Sequence, residues 1–397
     1  MQNDKIKILF VITSLRIGGV EKAMLGLLNT LSPLQFDITL GVISPEGGYI
    51  NDVPKYVKIV CIKSLTKYQN LFNAPVRTAL KAFKAGRFVD AFTALAVYLK
   101  AKLRGSLHGF YNHYLSKEEP DFDTSFDIAV SFHGPSELID FYVTSKIDST
   151  VKYGWIHFDL SKVHYKAKSS LLSYGKFDRI FIVSKAAKDV FDSIFPQFAS
   201  KSFVFNNIVD QKSILELASE EEIPQTNKLR IATVGRMHPA KGQDIAIRAA
   251  AILKKHNIDF SWNFVGDGIA LASNRELARE LSVESFINFL GAKHNPYPYM
   301  ANCDIYVQPS RHEGFCITIA EAMIFGMPIV ATNFSGALEQ LYSVPNAIVV
   351  ETFDADSLAN AIIKATALPH RGKINDKIAL SKPPIYLLTE TFYKKTD

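Results

Sequence analysis

Residues Ser310–Gly336 read SRHEGFCITIAEAMIFGMPIVATNFSG. The apolar run Ile305–Pro309 leads into a loop, a helical spacing starts near Ile317, and GMPIVAT reads as the next buried strand. Glu313 falls in the loop, and Glu321, eight residues on, falls in the helix. Gly314-Phe315-Cys316 runs straight into the helix N-terminus. Unpaired N–H groups and partial positive charge there can hold an anion such as a diphosphate. A carboxylate further in, Glu321, can take two vicinal hydroxyls of the kind a ribose offers. An ordinary strand–helix–strand unit with solvated glutamates has the same spacing, so spacing alone leaves both readings open.

The pattern E-G-F-x-x-x-x-A-E-A-M, followed by G-M-P-I-V-A-T and Ser-Gly, resembles the signature of the retaining, nucleotide-sugar-dependent glycosyltransferases of family four, in group 1. The resemblance implies a GT-B fold: α/β, with two Rossmann-like, doubly wound parallel-sheet domains facing a cleft. In such a fold the C-terminal domain holds the donor and the N-terminal domain the acceptor.

Upstream, Leu229–Gly235 opens a sheet, and Arg236-Met237-His238-Pro239-Ala240-Lys241-Gly242 comes next as a loop. An Arg and a Lys five apart at a strand end can grip one diphosphate from two sides, the Arg as a planar fork and the Lys as a point charge. G-R-x-x-x-x-K-G is similar to the family's diphosphate loop. Phe260–Val265 is a strand ending in Gly266-Asp267-Gly268, which resembles a loop near the nucleotide. Tyr297 and Tyr299 come after another strand, either as core or turn residues or beside a base. The acidic, Pro-containing stretch at 218–228 reads as a linker. The expected layout is an N-terminal domain over 1–217, a C-terminal domain over 229–375, and a tail over 376–397 that crosses back to the first domain.

In the first half, Ile6–Ile12 is a near-continuous apolar run of the kind a covered parallel strand shows, too short and too soon broken for a signal peptide. Gly18-Gly19 sits where that strand turns into the helix Val20–Leu31. G-G-V-E-K is similar to the family's Gly-Gly-x-Glu loop beside donor phosphate and acceptor. It is not the G-x-G-x-x-G fingerprint, so a nicotinamide cofactor is not expected. Two strand ends carry histidines, His133 and His157. A lone histidine is more often structural, and His133 is read so. The Trp-Ile-His-x-Asp context of His157 resembles the histidine region facing the donor sugar, for hydrogen bonding or proton movement. Asp159 either orients this histidine or caps the next segment of chain.

Residues 77–114 match nothing in the family pattern. They hold Arg77, Lys81, Lys84, Arg87, Lys100, Lys102 and Arg104 against the single acid Asp90, interleaved with Phe83, Phe88 and Phe92. One or two basic amphipathic helices are expected, either packed on the sheet with a solvated basic face or lying at a membrane interface.

A length of 397 residues favours two domains, and the net charge of +6 does not by itself point to nucleic acid. Three scattered cysteines, without CxxC or His/Cys clusters, point to a reducing compartment and no structural metal. No apolar stretch is long enough to span a bilayer. The resemblance implies transfer of a hexosyl or N-acetylhexosaminyl group from a nucleotide diphosphate sugar, with UDP as the expected nucleotide and no cofactor or metal. The acceptor would be a glycan or lipid-linked glycan of an envelope, capsule or exopolysaccharide, and the location cytoplasmic, peripheral at the inner leaflet. Expected catalytic residues are His157, Glu313, Arg236 and Lys241. Expected donor contacts are Gly18, Gly19, Arg236, Lys241, Gly266, Glu313, Gly314, Phe315, Cys316 and Glu321. A GT-B nucleotide-sugar epimerase, or a non-catalytic partner of a glycosyltransferase complex, remains the alternative.

Overall fold

The computed structural model describes residues 5–162, 165, 167–224, 226–369 and 384–396. Its first sheet comprises β1 (Ile6–Ser14), β2 (Phe36–Ser44), β3 (Lys58–Cys61), β4 (Phe126–Gly134), β5 (Ser149–Ile156), β6 (Arg179–Ile182) and β7 (Ser202–Val204). The order is β3-β2-β1-β4-β5-β6-β7, parallel throughout. Its second sheet comprises β8 (Leu229–Val234), β9 (Phe260–Val265), β10 (Ile287–Phe289), β11 (Ile305–Gln308), β12 (Ile329–Thr332) and β13 (Ala347–Val350). The order there is β10-β9-β8-β11-β12-β13, also parallel. These are the two doubly wound sheets expected from the alternation of strand and helix patterns.

Strands this apolar are stable only when both faces are covered. On β1, Ile8, Phe10 and Ile12 pack under the helix Gly19–Thr30, whereas Leu9 and Val11 face the helices of the opposite layer. β8 is similarly divided, with Ile231 in one cluster and Ala232 and Val234 in the other.

In each sheet the strand order reverses once, between β1 and β4 in the first and between β8 and β11 in the second. Loops leave neighbouring strands in opposite directions at such a point and open a crevice at the carboxyl ends. The Leu15–Gly18 loop leaves β1, and His133 lies at the end of β4. The Gly235–Lys241 loop leaves β8, and Ser310–Cys316 leaves β11. Chain topology therefore places the glycine, Arg–Lys and glutamate motifs at one of two crevices.

The helix Gln211–Leu217 packs through Ile214, Leu215 and Leu217 on the second unit. The chain thus changes unit near Ile208–Asp210, ahead of the 218–228 stretch expected to link them. The terminal helix Tyr386–Thr396 lies on the first sheet, where the Tyr153 hydroxyl donates to the Leu388 carbonyl (3.0 Å) and Arg179 to the Leu387 carbonyl (2.9 Å). The 77–114 insert forms three helices rather than one or two, Pro75–Lys84, Phe88–Leu103 and His108–Leu115, because Gly86 and Gly105 break the periodicity with left-handed φ of 74° and 73°.

Candidate active site

The two crevices face each other across one cleft of ≈950 Å³. All of the expected site residues line it: Gly18, Gly19 and His157 from the first unit, Arg236, Lys241, Gly266, Glu313, Gly314, Phe315, Cys316 and Glu321 from the second. The volume lies within the usual range for a small-molecule site.

On the second unit, Lys241 holds Glu313 with its Nζ 2.6 Å and 2.7 Å from the two carboxylate oxygens. The Glu313 carboxylate also accepts the Ser310 hydroxyl (2.8 Å), which accepts Gln308 Nε2 (2.8 Å). Gln308 Oε1 in turn accepts the hydroxyls of Tyr306 (2.8 Å) and Thr318 (3.0 Å). This buried relay fixes the Glu313 rotamer from behind. Sequence reasoning misses it, although the alternate spacing of Tyr306, Gln308 and Ser310 along one strand face is an available signal.

Arg236 is exposed on the cleft wall, and its backbone is anchored by Gln243 Nε2 on its carbonyl (2.9 Å). Gly266 and Gly268 sit at φ 152°, and a Cβ at Gly266 would lie 1.9 Å from the Gly235 carbonyl oxygen. These glycines let the second loop pack directly on the Arg236 loop, so their role is to support it as well as to line the cleft.

Glu321 is buried, accepts the Tyr297 hydroxyl (2.8 Å), and has Lys22 Nζ of the first unit 3.9 Å away. Lys22 also lies 4.6 Å from the centroid of the Tyr297 ring. Burial pushes the Glu321 carboxyl up, while Lys22 and the tyrosine hydroxyl work against that. Tyr297 is therefore a buried partner of Glu321. Sequence alone assigns this place to neither Tyr297 nor Lys22, because the contact joins distant segments.

Cys316 is the N-cap of the short helix Ile317–Met323 and has φ 63°, a left-handed conformation that costs a residue with a Cβ. Burial pushes its thiol up, so the sulfur stays protonated and its place in the loop is conformational. A Cβ at Gly314 would lie 2.1 Å from the His157 carbonyl oxygen across the cleft. The glycine of the Glu-Gly-Phe motif thus also sets how closely the two units approach.

On the first unit, Gly18 has extended φ, and its lack of a side chain leaves room for Glu21, whose Oε2 would be 2.5 Å from a Cβ there. Gly19 is open toward the cleft. Burial raises the pKa of Glu21, against hydrogen bonds from the backbone and Ser14 and the charges of Arg236 and Arg16. His133 lies in the cleft beside Thr13, with Oγ1–Nδ1 at 3.2 Å, and not in a purely structural setting. Its pKa is lowered to about 4 by burial and by Arg236.

His157 is buried, stacks on Trp155, and places Nε2 2.7 Å from the Phe132 carbonyl oxygen. A carbonyl only accepts, so Nε2 carries the proton and Nδ1 is an acceptor. Burial, with His133 adding to it, lowers the pKa to about 3. A neutral ring of this kind suits hydrogen bonding to a hydroxyl better than proton transfer.

Asp159 accepts Ser161 (2.9 Å from its N–H) and, across the cleft, the Ser335 hydroxyl. Glu339 accepts the N–H groups of Lys185 (3.0 Å) and Ala186 (3.2 Å), and so caps a helix of the opposite unit. Ser184 donates to the Gly314 carbonyl oxygen at 2.8 Å. These contacts hold the two crevices in fixed register.

Residues 216–378 match the family described as glycosyl transferases group 1. An uncharacterized glycosyltransferase of Haemophilus influenzae is 26% identical over 193 residues, which is 47% of this chain and 52% of that protein. The Campylobacter jejuni N-acetylgalactosamine-N,N'-diacetylbacillosaminyl-diphospho-undecaprenol 4-alpha-N-acetylgalactosaminyltransferase is 30% identical over 171 residues, 43% of this chain and 46% of that protein. The chain thus spans about half the length of these curated relatives. The structure of Anabaena HepE in complex with UDP and glucose matches 98% of each chain with a TM-score of 0.65 at 18% identity. At that identity the likeness establishes the fold, which is that of GT-B glycosyltransferase structures.

Proposed function

We infer that this protein, whose residues 216–378 belong to the group 1 glycosyl transferases, moves a sugar from a nucleotide diphosphate sugar to an acceptor hydroxyl. The observation that carries this reading is the convergence of Arg236, Lys241, Glu313 and Glu321 on one cleft between two sheet crevices. Arg236 and Lys241 offset the charge that builds on a leaving diphosphate, which is where preorganised cations lower a barrier most. Glu321 takes the ribose hydroxyls, with Lys22 opposing the upward push of burial on its carboxyl. Glu313, released in part from Lys241 by the diphosphate, contacts the transferred sugar. Amides of Gly19 and Gly314–Cys316 add donors, and Nδ1 of His157 accepts from a sugar or acceptor hydroxyl.

Transfer proceeds with retention of anomeric configuration, on the front face, with the leaving phosphate taking the acceptor proton. Arg236 and Lys241 fill the electrostatic role a cation would have, so no metal is called for. The donor is a UDP-sugar, a reading supported by the UDP complexes of HepE among the structural neighbours. The acceptor is a glycan or lipid-linked glycan, and the transfer takes place at the cytoplasmic face of the membrane. Support comes from the C. jejuni relative, which is named for a diphospho-undecaprenol acceptor, and from an Escherichia coli relative named for O-antigen biosynthesis.

The test is incubation of the protein with a panel of nucleotide sugars and a lipid-linked glycan extract, read by mass spectrometry and by NMR of the anomeric proton. One added hexose or N-acetylhexosamine in the donor's configuration, absent with Lys241→Ala, is expected. Conversion of the donor without any acceptor would point to an epimerase instead. No reaction with any donor would overturn the reading.

A further inference from the structure

The helices Pro75–Lys84 and Phe88–Leu103 form a hairpin outside the cleft, turning at Gly86. Their mutual seam is built from alanines: Ala79, Ala82, Ala91 and Ala94 are buried. Val97 and Tyr98 pack inward on the neighbouring core, but most of the large apolar residues point the other way. Val76, Leu80 and Phe83 repeat at helical spacing on the first helix and are 47–57% exposed. Phe88, Phe92, Leu99 and Leu103 do so on the second and are 45–89% exposed. Helices made for water keep large apolar groups in the seam and small ones outside. Here the order is inverted, which marks a surface meant to be covered.

Phe83 lies 4.9 Å from Phe88 and 6.3 Å from Phe92, ring centre to ring centre, so three aromatics share the tip of the hairpin. Arg77, Lys81 and Lys84 form a stripe directly beside Val76, Leu80 and Phe83. Arg87, Lys100 and Lys102 add to the charge, against Asp90 as the lone acid of both helices. The hairpin base abuts the helix Ala167–Tyr174, since a Cβ at Gly105 would lie 3.2 Å from Lys168 Cδ. That helix comes shortly after the His157–Asp159 cleft segment and exposes Leu171 and Leu172.

We propose that this hairpin is an interfacial anchor that lies flat on an anionic lipid leaflet. The aromatic tip and leucine stripe sit among the acyl chains, while the neighbouring lysines and arginines reach up to headgroup phosphates on their alkyl stems. A second copy of the chain is the poorer occupant, because two faces of the same strong positive charge would oppose each other. Among the described residues no helix is long and apolar enough to cross a membrane, so the element lies on the bilayer rather than through it. The proposal deepens the functional reading by naming where the acceptor is met, but the surface argument stands without it.

Vesicle flotation tests it, with the full chain and two triple variants: Phe83→Ser with Phe88→Ser and Phe92→Ser, and Arg77→Ala with Lys81→Ala and Lys84→Ala. All six side chains are exposed, so folding should survive, and stabilisation by a nucleoside diphosphate serves as the control. The wild type should float with phosphatidylglycerol-containing vesicles and far less with phosphatidylcholine alone. The charge variant should lose about fivefold in partitioning per cation removed, and the aromatic variant should stay at the bottom. Wild type that fails to float, variants that float equally well, or variants that change sedimentation mass instead would overturn the proposal. Lost flotation with nucleotide stabilisation intact isolates the hairpin. Lost nucleotide stabilisation with flotation intact strikes only the reading of the cleft.

Discussion

Adding one methyl group at Gly314 should separate the two walls of the cleft. A Cβ there would lie 2.1 Å from the His157 carbonyl oxygen, 2.8 Å from its carbon and 3.0 Å from Phe158 Cα. Ordinary contact begins near 3.4 Å, so the closest approach is about 1.3 Å too short. All three atoms are backbone, and no rotamer change relieves the overlap. Overpacking of this kind costs about 1–3 kcal/mol. Gly314 and His157 belong to opposite units, so the strain is relieved most cheaply by moving the units apart. A displacement near 1 Å between donor and acceptor walls costs on the order of a hundredfold in rate. Gly314→Ala should therefore lower kcat/KM for sugar transfer by about that factor. Affinity for the nucleoside diphosphate alone, held mainly by the second unit, should change only a few-fold. The assay is steady-state transfer alongside calorimetric titration of the nucleotide. A variant with kcat/KM within a few-fold of wild type would refute the claim that this contact sets the cleft.

Tyr297→Phe removes the hydroxyl that donates to buried Glu321 and should cost about 1.5–3 kcal/mol in urea unfolding. It should also make nucleotide binding more sensitive to falling pH, because the hydroxyl no longer opposes the upward push of burial on the Glu321 carboxyl. His157 titrates at about 3, so kcat/KM should show no limb near pH 6.5 from this ring. Its lowered pKa means that the stability it contributes is full above 6.5 and falls away as the pH drops toward 3. Asp140 acts in the opposite sense. Burial, partly offset by Ser131, raises it to about 7 from 3.8, so its contribution is full below 3.8 and lost as pH rises through 7. Asp140→Asn should flatten that slope, worth about 4 kcal/mol as a ceiling, in urea melts across this range.

The apolar runs of the parallel strands stand out in the sequence because both faces of these sheets are covered. The loops with chemistry stand out because the reversal of strand order places them at strand carboxyl ends. Contacts that join distant segments leave no such mark. The Gly314–His157 approach, Lys22 and Tyr297 at Glu321, and the capping of Lys185 and Ala186 by Glu339 depend on how two independently folded sheets meet. Glu339 gains these partners only from the packing of the units. His133 reads as structural, yet it lies on the cleft wall because β4 borders the reversal point. The hairpin's charge is visible as a run of cations. Its inverted seam is not, since alanine periodicity alone does not say which face is covered.

Nucleotide capture by the cleft is read most directly by thermal unfolding with UDP, GDP, ADP, CDP and dTDP, on wild type, Lys241→Ala and Glu321→Ala. A ligand at ~100 times its dissociation constant adds about 2.7 kcal/mol. UDP should stabilise the wild type by that order, and both substitutions should abolish the effect. Stabilisation by none of the five, or an undiminished response in Glu321→Ala, would contradict this.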